Sequence, residues 1–259
     1  MRILFGVLAL TTFSVSAWAQ EVRPATGAAA TQPTATMEDA KAIMLKSDEA
    51  IKKVFYVRYD AVFQGTGFMV SNAPTVKGKA IQRGKATEGY GQYRFDVASA
   101  KLPWGEATQK FVSGHNGKVY YLLDPEKKIA FLQSTKEQLG PRGRLGDAVG
   151  FQYFAHPEPY ADDLSAPVLR VRGEATVGDQ ECWEIAVTYT DPNKGKGTWF
   201  ISKKDYLPRR KDVIYVNPET QEVGSMQWIL TNLSTESPKD DDLAYSLPDG
   251  YTETKDPAP

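Results

Sequence analysis

The 259-residue chain predicts a mainly β protein: one antiparallel sheet of about ten or eleven strands, one helix ahead of it, and one long irregular insertion within it. Three observations predict this class. From residue 55 onward apolar and polar residues alternate with period two in run after run. The runs are separated by short clusters of Gly, Pro, Asn and Asp, a spacing that joins neighbouring strands as hairpins. A single stretch, residues 37–54, repeats its apolar residues at three- and four-residue intervals instead.

The elements follow in order. Residues 1–19 read as an export signal: Arg2, then a mostly apolar run to Val15, then Ala17-Trp18-Ala19 as a small-x-small cleavage site before Gln20. The apolar run is too short to span a membrane, and no later run reaches the roughly 20 apolar residues a span needs. Residues 20–35 are rich in Ala, Thr and Pro with almost no large apolar residue, so they are expected to be a disordered linker. Thr36 with Asp39 fits a capping box, and Met37, Ala40, Ile43, Met44, Ala50, Ile51 and Val54 form the apolar stripe of a helix that should lie on the sheet.

Strands are then expected near 54–64, 77–85, 89–98, 110–113, 118–123 and 128–133, broken by turns such as Gly114-His115-Asn116-Gly117 and Asp124-Pro125-Glu126-Lys127. Residues 134–167 lose the period. They hold Gly140-Pro-Arg-Gly-Arg-Leu-Gly146, read as a turn-rich loop with solvated Arg142 and Arg144, and the aromatic group Phe151, Tyr153, Phe154 and Tyr160. An insertion this long between strands serves as a binding loop, lid or cap. Strands resume at 169–177, 181–190 and 198–202. The connection Lys203-Lys204-Asp205 leads, past Pro208, into 209–216, with Arg209, Arg210 and Lys211 expected on a solvated edge. A last long strand covers 223–233, and residues 252–259 are expected to be a disordered tail.

Composition narrows the function. Lys and Arg number 31 against 32 Asp and Glu, a net charge of −1, which gives no footprint for nucleic acid. One cysteine, Cys182, makes no internal disulfide, and its neighbours mark it as a buried thiol. His115 and His156 lie far apart in sequence with no ligand spacing, no Gly-x-Ser-x-Gly elbow occurs, and the Asp240-Asp-Asp242 run lacks the spaced ligands of a calcium loop. The expectation is a protein with no catalytic residues, no metal and no cofactor.

Four motifs, in order, resemble the LolA-like superfamily of bacterial exported proteins. They are Asn116-Gly-Lys-Val-Tyr-Tyr-Leu-Leu-Asp-Pro-Glu-Lys-Lys-Ile-Ala130, Cys182-Trp-Glu-Ile-Ala-Val187, Thr198-Trp-Phe-Ile-Ser-Lys-Lys-Asp-Tyr-Leu-Pro-Arg-Arg210 and Leu243-Ala-Tyr-Ser-Leu-Pro-Asp-Gly-Tyr251. The resemblance runs over residues 36–251, which it makes one domain. It implies an unclosed β-barrel: a strongly curved antiparallel sheet with the N-terminal helix and a helical or loop lid on its concave side. It also implies a periplasmic carrier or sensor that holds a lipid, a lipoprotein acyl chain or a similar amphiphile in an apolar cavity. An envelope protein–protein interaction module with a filled cavity is the alternative.

The cavity candidates are Trp183, Trp199, Phe200 and Trp228 on the sheet and Phe151, Tyr153 and Phe154 in the lid. Strand register decides which of them share a face. Arg142 and Arg144 are the candidates for an acidic head group or a protein partner.

Overall fold

A computed structural model of the chain describes residues 37–86, 90–102, 108–191, 195–237 and 240–258. The expected signal at 1–19, the linker at 20–35 and the capping residue Thr36 lie outside the described residues.

Twelve strands form a single sheet in the order β12-β6-β5-β4-β3-β2-β1-β11-β10-β9-β8-β7. Two meanders build it. The first runs through β1 (Tyr56–Gly67), β2 (Thr75–Arg83), β3 (Gln92–Lys101), β4 (Thr108–His115), β5 (Tyr120–Asp124) and β6 (Ile129–Gln133). The second runs through β7 (Val168–Val177), β8 (Gln180–Thr188), β9 (Lys196–Ser202), β10 (Pro208–Val216) and β11 (Val223–Ser234). They join where β11 pairs antiparallel with β1, Phe63 opposite Trp228. The sheet is curved and unclosed. Register shifts in five of its ladders, between Arg58 and Asp60, Lys77 and Gly78, Val97 and Ala100, Val171 and Gly173, and Pro208 and Arg210, add the local twist that bends it.

The concave face carries the main core. Helix α1 (Met37–Lys52) buries Ala40, Met44 and Ile51 there, while its first stripe residue, Met37, stays exposed. From the sheet come Val57, Tyr59, Phe63, Phe95, Phe111, Ile185, Trp199 and Ile201, alternate positions as the pleat requires. Residues 134–167 close over them through two short helices, α2 (Gly140–Gly146) and α3 (Ala161–Leu164), and 3-10 turns at Glu137–Leu139 and Gln152–Phe154. Two smaller clusters cover the convex face. Tyr121, Leu123 and Ala130 pack under Tyr245 and Tyr251, and Cys182, Val177 and Phe200 pack with Ile229.

Three expectations are corrected. The loop at 140–146 is a helix. Pro141 suits its first turn, buried Leu139 and Leu145 anchor it, and Gly143 lets the backbone approach Leu139 where a Cβ would come within 2.6 Å. The segment Arg209 to Lys211 is not on an edge, because β10 lies between β9 and β11. The tail is not left over: Thr252–Thr254 is β12, parallel to β6, and Gln133 donates to the Lys255 and Asp256 carbonyls at 3.3 and 2.6 Å. This twelfth strand forms one end of the sheet.

Candidate functional site

The site grows from one residue pair set by register. Trp199 on β9 stands opposite Lys211 on β10, and Lys211 stands opposite Trp228 on β11. All three therefore face the concave side. Phe200, one residue on from Trp199, faces the convex side with Cys182, where the Arg210 guanidinium covers its ring at 4.7 Å. Phe200 is thus separated from the other cavity candidates by the sheet itself.

The lid supplies the second wall. Around Trp199 the rings of Tyr153, Tyr160 and Phe151 stand edge to face at 4.6, 4.9 and 6.1 Å, and Phe154 packs behind Phe151 at 5.7 Å. Trp199 and Tyr160 are fully buried and Phe151 and Phe154 nearly so. Aromatic side chains thus fill the middle of the concave face. Trp183 lies off this group, stacked on Tyr206 at 5.2 Å, with the Lys46 ammonium of α1 beyond that ring.

Polar groups pin the lid down. The Asp163 carboxylate of α3 accepts from the Trp199 indole N–H at 2.8 Å and from the Tyr189 hydroxyl at 2.6 Å. The Phe151 backbone N–H donates to the Tyr59 hydroxyl at 2.6 Å, and that hydroxyl donates to Gln82 at 3.2 Å. Ser47 on α1 reaches the Tyr160 hydroxyl at 3.0 Å. Lys85 donates to the carbonyls of Ile51 and Phe154 at 2.8 and 2.7 Å, tying helix to lid, and burial lowers its ammonium to a pKa of about 8.

Beside this filled centre a cleft of about 480 Å³ remains. Trp228, Val213 and Lys211 form its sheet wall, Phe151 and Tyr153 its lid wall, and Tyr90, Lys136 and Asp147 its rim. The Lys211 ammonium donates to the Tyr153 hydroxyl and lies 4.2 and 4.5 Å from the ring centres of Tyr153 and Trp199, held by the negative ring faces. Lys136 lies 2.7 Å from the Asp147 carboxylate and 5.0 Å from the Tyr90 ring. Burial raises the Asp147 carboxyl, with Lys136 opposing it. Burial likewise raises the Tyr90 and Tyr153 hydroxyls, so both remain neutral donors. The cleft is a half-aromatic, half-charged slot suited to a ligand with one apolar and one polar end.

Of the sequence candidates, Trp228, Phe151 and Tyr153 line the cleft, while Trp199 and Phe154 back it. Arg142 is not solvated: it pairs with the buried Asp124 carboxylate in the Asp-Pro turn, an intramolecular partner for the proposed head-group contact. Arg144 is exposed. Lys211, Lys136, Asp147 and Asp163 were missed. Lys211 was legible by parity with Trp199 once β9 and β10 are paired, but its charge reads as solvent-facing.

Among the described residues no group of three or more His, Cys, Asp or Glu side chains is placed to hold a metal, and no helix is long and apolar enough to cross a membrane. No family model matches the chain. No curated protein matches it. Among solved structures it is similar to MucB, at 17% identity over 81% of this chain with a TM-score of 0.49, and it spans 63% of the length of that protein. It is similar to LprF from Mycobacterium bovis, at 13% identity over 85% of this chain and all of the other, TM-score 0.48. It is also similar to a LolA superfamily protein from Nitrosomonas europaea, at 9% identity over 83% of this chain and 99% of the other, TM-score 0.33.

Proposed function

We propose that the protein is an exported, periplasmic binding protein, not an enzyme, that holds one amphiphile in the cleft between sheet and lid. The cleft itself carries this reading. Its 480 Å³ falls in the range of small-ligand sites. One side is Trp228, Val213 and Phe151, and the other is ammonium, carboxylate and phenol. The apolar end of a ligand would cover the Trp228 wall, each buried methylene contributing about 0.8 kcal/mol. The polar end would lie at the Lys136–Asp147 rim. A location in the envelope, which belongs to this same proposal, would bring the protein to such ligands.

The filled centre of the concave face supports a second reading, an envelope protein–protein interaction module. One titration separates the two. The mature protein is mixed with a fluorescent single-chain fatty acid and with lysophospholipid, and bound mass is read by native mass spectrometry. Stoichiometric binding that Trp228→Ala weakens by about tenfold is the expected result. No uptake of either probe by the folded protein would overturn the amphiphile reading and leave the interaction module.

A further inference from the structure

At the far side of Tyr90 lies a second cleft, of about 460 Å³, which the lid does not touch. Strand pairing builds it. Tyr56 on β1 stands opposite Arg83 on β2, so the guanidinium lies 4.9 Å from the Tyr56 ring centre and 5.9 Å from that of Phe55. The two rings meet edge to face at 4.9 Å, a rigid corner. Phe55 is nevertheless 56% exposed, a large apolar ring held at the mouth of a cleft. Opposite stands His115, stacked on Tyr120 at 4.2 Å and oriented by its Nδ1 hydrogen bond to the Gly91 carbonyl at 2.9 Å. Between them the floor is backbone: at Gly84 an added Cβ would meet nothing within 4 Å. Among the described residues Arg83 has no carboxylate partner.

We infer that this cleft is a second ligand site, which takes a small ring-bearing anion: the ring lies against Phe55 over the glycine floor, and the carboxylate or phosphate ester meets the Arg83 fork. The Arg83 guanidinium lies beside two rings, and its five N–H donors suit the bidentate recognition of an anion. A flat ligand fits because the site is shallow and open, with the Phe55 ring at its edge and no side chain above Gly84 to block it. The site is independent of the lid cleft, which lies on the other side of Tyr90 and is lined by different sheet residues.

Backbone amide NMR on the mature protein tests this with four probes: phenyl phosphate, benzoate, inorganic phosphate and benzyl alcohol. The first two are expected to shift the amides of Gly84, Gly91 and Gly117 saturably. Inorganic phosphate and benzyl alcohol, each carrying half the recognition, should bind at least about tenfold more weakly. Arg83→Gln and Phe55→Ala should each weaken phenyl phosphate by about tenfold, Arg83→Lys by less, and Trp228→Ala not at all. Both side chains are partly or largely exposed, so thermal melting of the variants should match the parent and confirm that they fold. Non-saturating shifts, equal affinity in Arg83→Gln, or shifts centred on Trp228 would overturn the proposal.

Discussion

At the scale of single residues, two carboxylates hold parts that sequence separates widely. Asp163 accepts both the Trp199 indole N–H and the Tyr189 hydroxyl, so one side chain of the lid holds β9 and the residue just past β8. Asp163→Ala leaves the buried Trp199 indole and the half-buried Tyr189 hydroxyl without this partner and is expected to cost about 2–3 kcal/mol. Urea unfolding gives that loss, and hydrogen exchange should rise within residues 147–164 while the far meander stays protected. Uniform exchange across the chain would show that Asp163 does not act on the lid. Asp124 plays the corresponding part in the first meander. Burial by itself would raise its carboxyl. The Arg142 guanidinium and the Lys127 and Glu126 amides outweigh this and hold it below its ordinary value. A depressed folded-state carboxyl adds stability above the unfolded pKa, roughly 4, and loses it as pH falls through the lower folded value. Arg142→Gln should therefore lose roughly 2 kcal/mol at neutral pH and show a flatter fall in stability below about pH 4 than the parent. Parallel pH profiles for the two proteins would refute the coupling.

At the scale of elements, legibility followed how much of an element's cause is local. The long strands and α1 announced themselves through period, because their burial is one-sided and repeats. Helix α2 did not, since three glycines and a proline in seven residues argue against a helix on propensity alone. It exists because Leu139 and Leu145 are buried and Gly146 lies close against Ser113, contacts visible only in three dimensions. Strand β12 was equally silent. Thr252-Glu-Thr254 carries no apolar alternation, and its stability comes from backbone pairing to β6 and from Gln133 gripping two carbonyls beyond it. Truncation after Tyr251 is expected to cost about 2–3 kcal/mol. An unchanged urea midpoint would mean that β12 adds nothing. The candidate site divides the same way. Its aromatic members were legible as large apolar residues in the irregular insertion and on a strand, whereas Lys136 and Lys211, set against aromatic rings, and Asp147, paired with Lys136, were not, because in sequence such charges look like charges in water.

At the scale of the whole molecule, the seam between the meanders governs assembly. Each meander can form from near neighbours in sequence, but β1 and β11 join residues such as Gln64 and Gln227, 163 positions apart. High contact order of this kind slows folding to milliseconds or seconds. A fragment covering residues 36–222 lacks β11 and β12, and it is expected to lose the cooperative urea transition of the full chain, read by tryptophan emission. A sharp transition in that fragment would show that the sheet folds cooperatively without the seam.

The same seam sets a hazard during synthesis. A chain that emerges from its amino end presents β1 with one flank paired by β2 and the other bare until nearly the last strand arrives. A bare flank of twelve residues is a template for any passing strand. For most of its synthesis, then, the newborn polypeptide is sticky along its own midline, and it needs shelter until β11 has emerged.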